Sequence, residues 1–368
     1  MIAFLRSNGI SGDSRVGKYI DFYVNQKLSY HIIGWDRLAE NLSFPNCTFY
    51  KKQIGYNIGG IKAVIGRLGW FYFIFIKLLK LKPSTIHACD LDCAFPAAIY
   101  KCFYPNTVLI FDVFDWFSAT LYNQAAWIRL IFSALEKFTI KKSNHVIICE
   151  PERRNQIPYD IDDKVSILPN IPLIDDNEEI IPIEIGFSNN FPKIAYVGAF
   201  YKERFLDELI QLAKNKKINL LFAGYGDSEI TANIQTIRNQ DNVRFFGKVE
   251  YKKGLSIMKA ADAIYAMYCT SNPNNVCAAP NKFYEALFLG KPIITTSGTT
   301  IGEKVEKHDI GFVIREDIDE LNDLICQLKN QGSTKLKYYG QRASDLWKTT
   351  YRTFVANYLI TTYRALIK

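Results

Sequence analysis

A lysine and a glutamate three positions apart are the clearest candidates for chemistry in this sequence. They are Lys282 and Glu285, in a segment that starts at Pro280 and leads into an apolar run. If a helix begins here, Lys282 lies in its first turn, where free N–H groups and the helix dipole attract anions such as a diphosphate. Glu285 can then accept hydrogen bonds from two ribose hydroxyls. We therefore predict a nucleoside-diphosphate site at Asn281, Lys282 and Glu285; the alternative is an amphipathic helix with a solvated Lys and Glu.

Three glycines and two cations upstream extend this prediction. Gly198 follows an apolar run and leads through Lys202 and Arg204 towards a helical segment, and Gly224 and Gly226 follow the next apolar run. Glycine lets a ligand approach the backbone closely, and the cations suit a diphosphate. Tight strand-to-helix turns need glycine in any case, so this alternative stays open.

Three aspartates are candidates for orienting or deprotonating an acceptor hydroxyl. Asp112 and Asp115 stand at the end of one apolar run, and Asp13 follows the first. A carboxylate within hydrogen-bond reach of a hydroxyl can act as a general base. The alternative for each is a helix-capping or loop aspartate. If the reaction transfers a sugar from a diphosphate and retains the configuration at the sugar carbon, the leaving phosphate can take the proton instead. The sequence leaves this choice open.

Short Val/Ile-rich runs alternate with longer amphipathic stretches, which is typical of parallel α/β domains. The strands predicted in the first half are 2–5, 30–35, 84–88, 107–112 and 145–149. Those predicted in the second half are 193–197, 218–223, 243–246, 263–267, 292–295 and 311–314. We predict two doubly wound domains, whose loops at the carboxyl ends of the strands would carry the candidate residues.

The predicted domain boundaries follow from where this pattern stops and restarts. Residues 1–172 form the first domain, and the acidic stretch 173–191 is a linker. Residues 192–348 form the second domain. Residues 349–368 form a final helix that packs back across the domain junction, because their aromatic residues recur at helical spacing.

Composition narrows the setting. The chain has 368 residues and a net charge of +8, and residues 1–150 hold 17 Lys and Arg against 10 Asp and Glu. Residues 66–82 combine an aromatic body with flanking cations, which favours either contact with a membrane surface or a buried helix. No apolar run is long enough to span a bilayer, and no secretory signal is recognised. Scattered cysteines without a C-x-x-C pair suggest reduced thiols. No metal site is expected at His87, Cys89 and Cys93.

Motifs in both halves resemble GT-B glycosyltransferase family 4, in particular its members in bacterial polysaccharide assembly. In the second half the motifs are 196–198, 221–226, 243–247 and 280–294. In the first half they are 12–16, 34–37, 87–92, 111–115 and 168–170. The resemblance implies two Rossmann-like domains facing a cleft, with residues 1–172 binding the acceptor and residues 192–348 binding the nucleotide sugar. It assigns Glu285 to the ribose and Lys282 with Arg204 to the diphosphate, with residues 9–13, including Gly12, over the phosphates.

Two positions depart from the family pattern. The first glutamate of the family's usual pair falls at Cys277, so the carboxylate that normally holds the transferred sugar is missing. Asn274, Asn275 or the Cys277 backbone are candidates to replace it. The histidine that many members carry before the acidic residue at the end of the fourth strand is Phe114. Donor sugar and stereochemistry therefore stay open.

The predicted function is a metal-independent, retaining hexosyltransferase without a cofactor. It would move a sugar from a nucleoside diphosphate to a hydroxyl of a lipid-linked polysaccharide precursor, in the synthesis of capsule, lipopolysaccharide or another cell-surface glycan. We expect a cytoplasmic protein at the inner face of the cell membrane, touching the membrane through residues 66–82. The alternatives are a nucleotide-sugar epimerase of the same fold and a non-catalytic nucleotide-sugar-binding subunit. The interspersed basic residues match no nucleic-acid recognition module.

Overall fold

The computed structural model describes residues 1–7, 14–37, 45–53, 60–157, 160–172 and 179–367. It divides into two compact units. Unit 1 contains Met1–Pro169 and Val355–Lys368, and unit 2 contains Asn170–Phe354. Gly12 and Asp13, two of the predicted site residues, lie outside the described residues.

Unit 1 is built on a parallel sheet with, among the described residues, seven strands in the order β3-β2-β1-β4-β5-β6-β7. The strands are β1 (Ile2–Arg6), β2 (Tyr30–Trp35), β3 (Cys47–Tyr50), β4 (Thr85–Cys89), β5 (Val108–Val113), β6 (His145–Ile148) and β7 (Val165–Ile167). The helices are α1 (Ser14–Asn25), α2 (Gly60–Leu81), α3 (Leu91–Phe103), α4 (Phe117–Thr120) and α5 (Ala126–Lys142). The strand order reverses between β1 and β4, so loops from both halves of the sheet meet at that carboxyl edge.

Unit 2 repeats this plan with a six-stranded parallel sheet in the order β10-β9-β8-β11-β12-β13. The strands are β8 (Lys193–Phe200), β9 (Asn219–Gly226), β10 (Val243–Gly247), β11 (Ala263–Ala266), β12 (Ile293–Thr296) and β13 (Gly311–Ile314). The helices are α6 (Leu206–Lys214), α7 (Ser228–Ile237), α8 (Tyr251–Ala260), α9 (Pro273–Val276), α10 (Asn281–Leu289), α11 (Thr300–His308) and α12 (Ile318–Leu346). Here the order reverses between β8 and β11.

The final residues run through α13 (Phe354–Tyr358) and α14 (Arg364–Leu366), and residues 355–367 pack on unit 1. Two tyrosines hold them there. The hydroxyl of Tyr358 lies 2.7 Å from Oγ of Ser166, and that of Tyr363 lies 2.8 Å from Nδ1 of the buried His87. The carboxy-terminal segment therefore completes the core of unit 1.

These sheets confirm the predicted α/β fold, and every predicted strand is present. Sequence reasoning missed β3 and β7, which are short and only partly buried strands at the two edges of the unit 1 sheet. A short edge strand shows little apolar alternation, because one side has no neighbouring strand. Residues 179–191 of the predicted linker contain no helix or strand.

The glycines predicted to follow β8 and β9 lie within those strands. Gly198 pairs with Gly224, and Phe200 pairs with Gly226. A Cβ atom at Gly224 would lie 1.8 Å from the carbonyl oxygen of Gly198, and one at Gly226 would lie 2.4 Å from that of Phe200. Close approach of the two strand ends is thus sufficient to require glycine at both positions.

Candidate functional site

The predicted diphosphate segment begins a helix, as expected. Helix α10 starts at Asn281 after Pro280 in the N-cap position, and it ends at Gly290, whose φ of 63° suits a left-handed helix end. Pro280 donates no N–H and has a φ of −73°, which fits the start of a helix. Lys282 is therefore the second residue of α10, beside its free N–H groups.

The Lys282 ammonium lies over the end of β8. Its Nζ is 4.5 Å from the ring centroid of Tyr196, and a Cβ atom at Gly198 would lie 2.6 Å from it. Burial and the neighbouring Arg204 lower the pKa of Lys282 to about 8, although Glu285 acts in the opposite direction. Two cations held this close favour binding of an anion, because an anion relieves their mutual repulsion.

Arg204 is fixed by two contacts within unit 2. Its guanidinium lies 4.1 Å from the ring centroid of Tyr268, and its Nη1 donates a hydrogen bond of 2.9 Å to Oδ1 of Asn275. The amide of Asn275 in turn donates to the carbonyl oxygen of Cys269, at 3.0 Å, and the residue is only 4% exposed. Asn275 therefore positions Arg204, and both ends of its amide are engaged. A side-chain amide has a second N–H and a second acceptor position, so Asn274, Asn275 and the Cys277 backbone all stay predictions for the group that replaces the missing glutamate.

Glu285 is buried on the same helix and is hydrogen-bonded to the hydroxyl of Tyr251, the first residue of α8. Burial raises the pKa of Glu285, while Lys282 and the Tyr251 hydroxyl oppose the shift. Because Tyr251 comes from a different helix, its contact with Glu285 was not predicted from sequence.

Two of the remaining predicted donor residues, Lys202 and Asn281, are exposed. Lys202 is exposed and forms an ion pair with Glu229 of α7, which raises the lysine pKa. Asn281 is exposed at the start of α10. The structure thus brings together Gly198, Arg204, Lys282 and Glu285, which we name the cation cluster, and directs Lys202 towards α7.

Asp112, predicted as a candidate base at the end of a strand, lies in the core of unit 1. It is fully buried in unit 1, and its carboxylate accepts hydrogen bonds from Arg15 at 2.7 Å, Tyr19 at 3.0 Å and His87 at 3.3 Å. These contacts, above all the Arg15 charge, outweigh burial and hold the pKa of Asp112 well below its usual range. A buried carboxylate with its oxygens engaged is a poor base for an acceptor hydroxyl, so its geometry favours a structural role.

Asp115 lies on the surface beyond β5. Its side chain is 59% exposed, and Oδ1 accepts a hydrogen bond of 3.1 Å from Nη2 of the buried Arg153. A further carboxyl, Asp90, lies near it at the end of β4 and was not among the predicted catalytic candidates. The sequence places Asp90 near a strand end, but it does not show that the residue adopts a positive φ, of 64°.

Metal-ligating residue types do meet in the core of unit 1. Potential ligand atoms of His87, Cys89 and Asp112 lie within 4.8 Å of one another, so Asp112 replaces the Cys93 considered from sequence. The guanidinium of Arg15 already pairs with Asp112 at 2.7 Å. A cation would have to displace this charge, so the donor set does not suit a metal ion.

Comparison with known proteins finds a family model that matches residues within unit 2. Residues 177–345 match the family model described as "Glycosyl transferases group 1". An uncharacterized glycosyltransferase of Methanocaldococcus jannaschii is 26% identical over 234 residues, 58% of this chain and 56% of that protein. A Corynebacterium glutamicum GDP-mannose-dependent monoacylated alpha-(1-6)-phosphatidylinositol monomannoside mannosyltransferase is 27% identical over 152 residues, 39% of this chain and 40% of that protein. The matched segments thus span about half the length of these relatives, or less.

Solved structures extend the likeness to the whole fold. Sucrose-phosphate synthase of Thermosynechococcus elongatus superposes with a TM-score of 0.73 at 14% identity, covering 100% of this chain and 99% of that one. Anabaena HepE in complex with UDP-glucose gives a TM-score of 0.69 at 14% identity, covering 99% of both chains. Together with the two doubly wound sheets, these matches show that the chain has the GT-B fold.

Proposed function

We propose that this chain is a metal-independent, retaining glycosyltransferase of family 4 that uses a nucleoside-diphosphate sugar. The observation that carries the proposal is the cation cluster at the start of α10. Lys282 and Arg204 offer two positive charges beside free helix N–H groups, and Glu285 lies nearly one turn further on. These groups suit a diphosphate and the adjoining ribose, respectively.

The cluster also supplies chemistry. When the bond between the sugar C1 and the diphosphate oxygen breaks, the electron pair leaves with the diphosphate and negative charge accumulates there. Fixed cations stabilise that charge more than they stabilise the bound donor, which lowers the barrier. Lys282 and Arg204 take this role without a metal ion, and the contact with Asn275 keeps Arg204 in place.

Incubation with a panel of nucleotide sugars tests the proposal. UDP-glucose and GDP-mannose lead the panel, since the HepE complex contains the first and the Corynebacterium relative depends on the second. We expect one donor to release nucleoside diphosphate and to glycosylate an alkyl glycoside or a polyprenyl-diphosphate sugar. Conversion of the donor without an acceptor indicates an epimerase. Tight donor binding without turnover indicates a binding subunit, and silence with every donor and acceptor contradicts the proposal.

We further propose that the acceptor is a lipid-linked precursor of capsule or lipopolysaccharide, presented at a membrane surface. No helix among the described residues is long and apolar enough to cross a bilayer. Helix α2 nevertheless buries Trp70, Ile74 and Leu78 while leaving Leu68 and Tyr72 60% and 70% exposed. One face of α2 is thus buried in unit 1, and the exposed face supports the proposed membrane contact.

A second helix adds to this exposed apolar surface. At the start of α5, Trp127 and Leu130 are 64% and 70% exposed. Phe95 of α3 contacts both Phe71 of α2 and Phe138 of α5, so the three helices form one layer on the sheet. Crossover helices run antiparallel to their strands, so α2 and α5 both start on the side of the carboxyl edge. We name Leu68, Tyr72, Trp127 and Leu130 the apolar edge.

Flotation with vesicles tests the membrane proposal. Leu68→Glu and Leu130→Glu should each weaken binding to vesicles containing phosphatidylglycerol by about tenfold or more, since each removes an apolar side chain that insertion would bury. Val24→Glu is the matched control, because Val24 is 54% exposed on α1 and outside the apolar edge. Equal binding by all variants, or no binding by the unaltered protein, would refute the membrane contact.

A further inference from the structure

The first turn of α8 carries a tyrosine that contacts the cation cluster. Tyr251 begins this helix, and its hydroxyl is hydrogen-bonded to the carboxylate of Glu285. An ionised carboxylate only accepts hydrogen bonds, so the tyrosine hydroxyl is the donor. Tyr251 is 37% exposed, whereas Glu285 is 6% exposed. The tyrosine therefore extends from the surface of unit 2 to a buried carboxylate.

The packing of α8 against the sheet determines where Tyr251 lies. Gly254, nearly one turn further along the helix, faces β8, because a Cβ atom at Gly254 would lie 3.1 Å from Cγ1 of Val197. Residues three positions apart on a helix share a face, so Tyr251 is on the side of α8 that approaches β8. Val197 directly precedes Gly198 of the cation cluster. The backbone of α8 thus holds Tyr251 beside that cluster.

Side chains from three segments of unit 2 determine the charge on Glu285. Burial favours the protonated acid and raises its pKa, whereas the Lys282 ammonium and the Tyr251 hydrogen bond favour the ionised form. Tyr268, just after β11, also interacts with Glu285, and the guanidinium of Arg204 lies over the Tyr268 ring. Burial raises the pKa of both tyrosines, so they are neutral at pH 7. Loss of the Tyr251 hydroxyl therefore makes Glu285 easier to protonate.

An ionised carboxylate that is already oriented suits two neighbouring hydroxyls of a ligand. Each carboxylate oxygen accepts more than one hydrogen bond, so the contact with Tyr251 leaves acceptor positions open. A hydrogen bond to a charged acceptor is stronger than one to a neutral acceptor. A side chain that is fixed before binding also loses less conformational freedom when the ligand arrives. The Tyr251 hydroxyl contributes to both effects.

We propose that Tyr251 is a positioning residue that makes unit 2 selective for ribonucleotides, because it keeps Glu285 ionised and oriented for the 2′- and 3′-hydroxyls of the ribose. This inference rests on the proposed function. Tyr251 acts through Glu285 and needs no contact of its own with the nucleotide. A nucleotide without these hydroxyls leaves the buried carboxylate without the hydrogen bonds that it would otherwise accept. Selectivity for ribose therefore depends on the pair of side chains.

Calorimetry with the full chain tests this role, by comparing nucleoside diphosphates with their 2′,3′-dideoxy analogues. ADP, CDP, GDP and UDP are measured first, and the tightest ligand is then paired with its dideoxy form. The unaltered protein should prefer the ribonucleotide by about 10- to 100-fold, the usual effect of hydrogen bonds to a charged acceptor. Tyr251→Phe should weaken binding of the ribonucleotide by about 3- to 10-fold and of the dideoxy form by less than about 2-fold. A general loss of packing would weaken both ligands alike.

Tyr338→Phe is the matched control. Tyr338 is an exposed tyrosine of α12, and its hydroxyl also donates to a carboxylate, at 2.7 Å from Oδ2 of Asp309. Its replacement should leave both affinities unchanged. Glu285→Gln should remove most of the ribose preference by itself, so adding Tyr251→Phe to it should change the preference little further. Thermal unfolding shows whether each variant is folded.

The pH dependence gives a readout that a change in packing would not produce. The ribose preference of the unaltered protein should fall in acid, as Glu285 becomes protonated. Tyr251→Phe should move this fall to higher pH, because it removes a hydrogen bond that lowers the Glu285 pKa. Equal affinity of the unaltered protein for the two forms, or a preference that Tyr251→Phe leaves intact, would overturn the inference and leave the proposed function in place. If none of the four nucleoside diphosphates binds, the proposed function fails as well.

Discussion

Replacing Lys282 with methionine should lower kcat/KM for transfer by about 10²- to 10³-fold, the usual loss when one fixed donor to developing charge is removed. Methionine keeps much of the length and apolar volume of the lysine stem, but it lacks the ammonium and therefore the cation–π contact with the Tyr196 ring. Part of the loss should appear in kcat, because charge on the diphosphate grows as the bond to C1 breaks. Steady-state kinetics with the identified donor give both parameters.

A pH series gives this prediction a second readout. The pKa of Lys282 is about 8, so the ammonium loses its proton above that pH and donor affinity should fall. A bound diphosphate stabilises the ammonium and raises its pKa. The alkaline fall should therefore occur at higher pH in kcat, which reports the donor-saturated enzyme, than in kcat/KM, which reports the free enzyme. Lys282→Met should lack this alkaline limb. Lys253→Met, at an exposed position of α8, is the matched control. If Lys282→Met has the same kcat and KM as the unaltered enzyme, the diphosphate does not bind at the start of α10.

Local pattern was sufficient to predict most of the residues that form the cation cluster. A helix start after Pro280 is encoded within a few residues, and Lys282 and Glu285 follow from the spacing along that helix. Strand order follows from the alternation of strands and helices, because parallel crossovers are short and of one hand. The sequence did not show which side chains from distant positions come into contact. Asn275 reaches Arg204 across 71 positions, and no spacing rule connects them.

The carboxylates of unit 1 show even more clearly that a sequence does not reveal which side chains meet. Asp112 and Asp115 are three residues apart on one strand end, yet one is buried against Arg15 and the other is exposed. A sequence shows that carboxylates lie at the end of β5, but which of them faces solvent depends on side chains from α1 and β4, which contact Asp112, and on Arg153, which pairs with Asp115. The backbone of Asp90, with a φ of 64°, is likewise not predicted by its immediate sequence.

Replacing Asp112 with asparagine should destabilise unit 1 by about 3–5 kcal/mol, the usual cost of leaving a buried charge without its partner. The variant leaves the guanidinium of Arg15 buried without a carboxylate, and it weakens the network that joins His87 to Tyr363. Asp115→Asn, which removes an exposed carboxylate, should cost no more than about 1 kcal/mol. If the two variants lose equal stability, Asp112 does not have the structural role assigned to it.

Urea unfolding followed by tryptophan fluorescence suits this comparison, because four of the five tryptophans belong to unit 1: Trp35, Trp70, Trp116 and Trp127. Two units need not unfold together, so the expected result is a shift of the transition that fluorescence reports. The pH dependence has a definite sign. The pKa of Asp112 is lowered in the folded protein, so the carboxylate contributes its full stability above the ordinary aspartate pKa and loses it as the pH falls towards the folded value. The difference between Asp112→Asn and the unaltered protein should therefore be largest near neutral pH and shrink in acid.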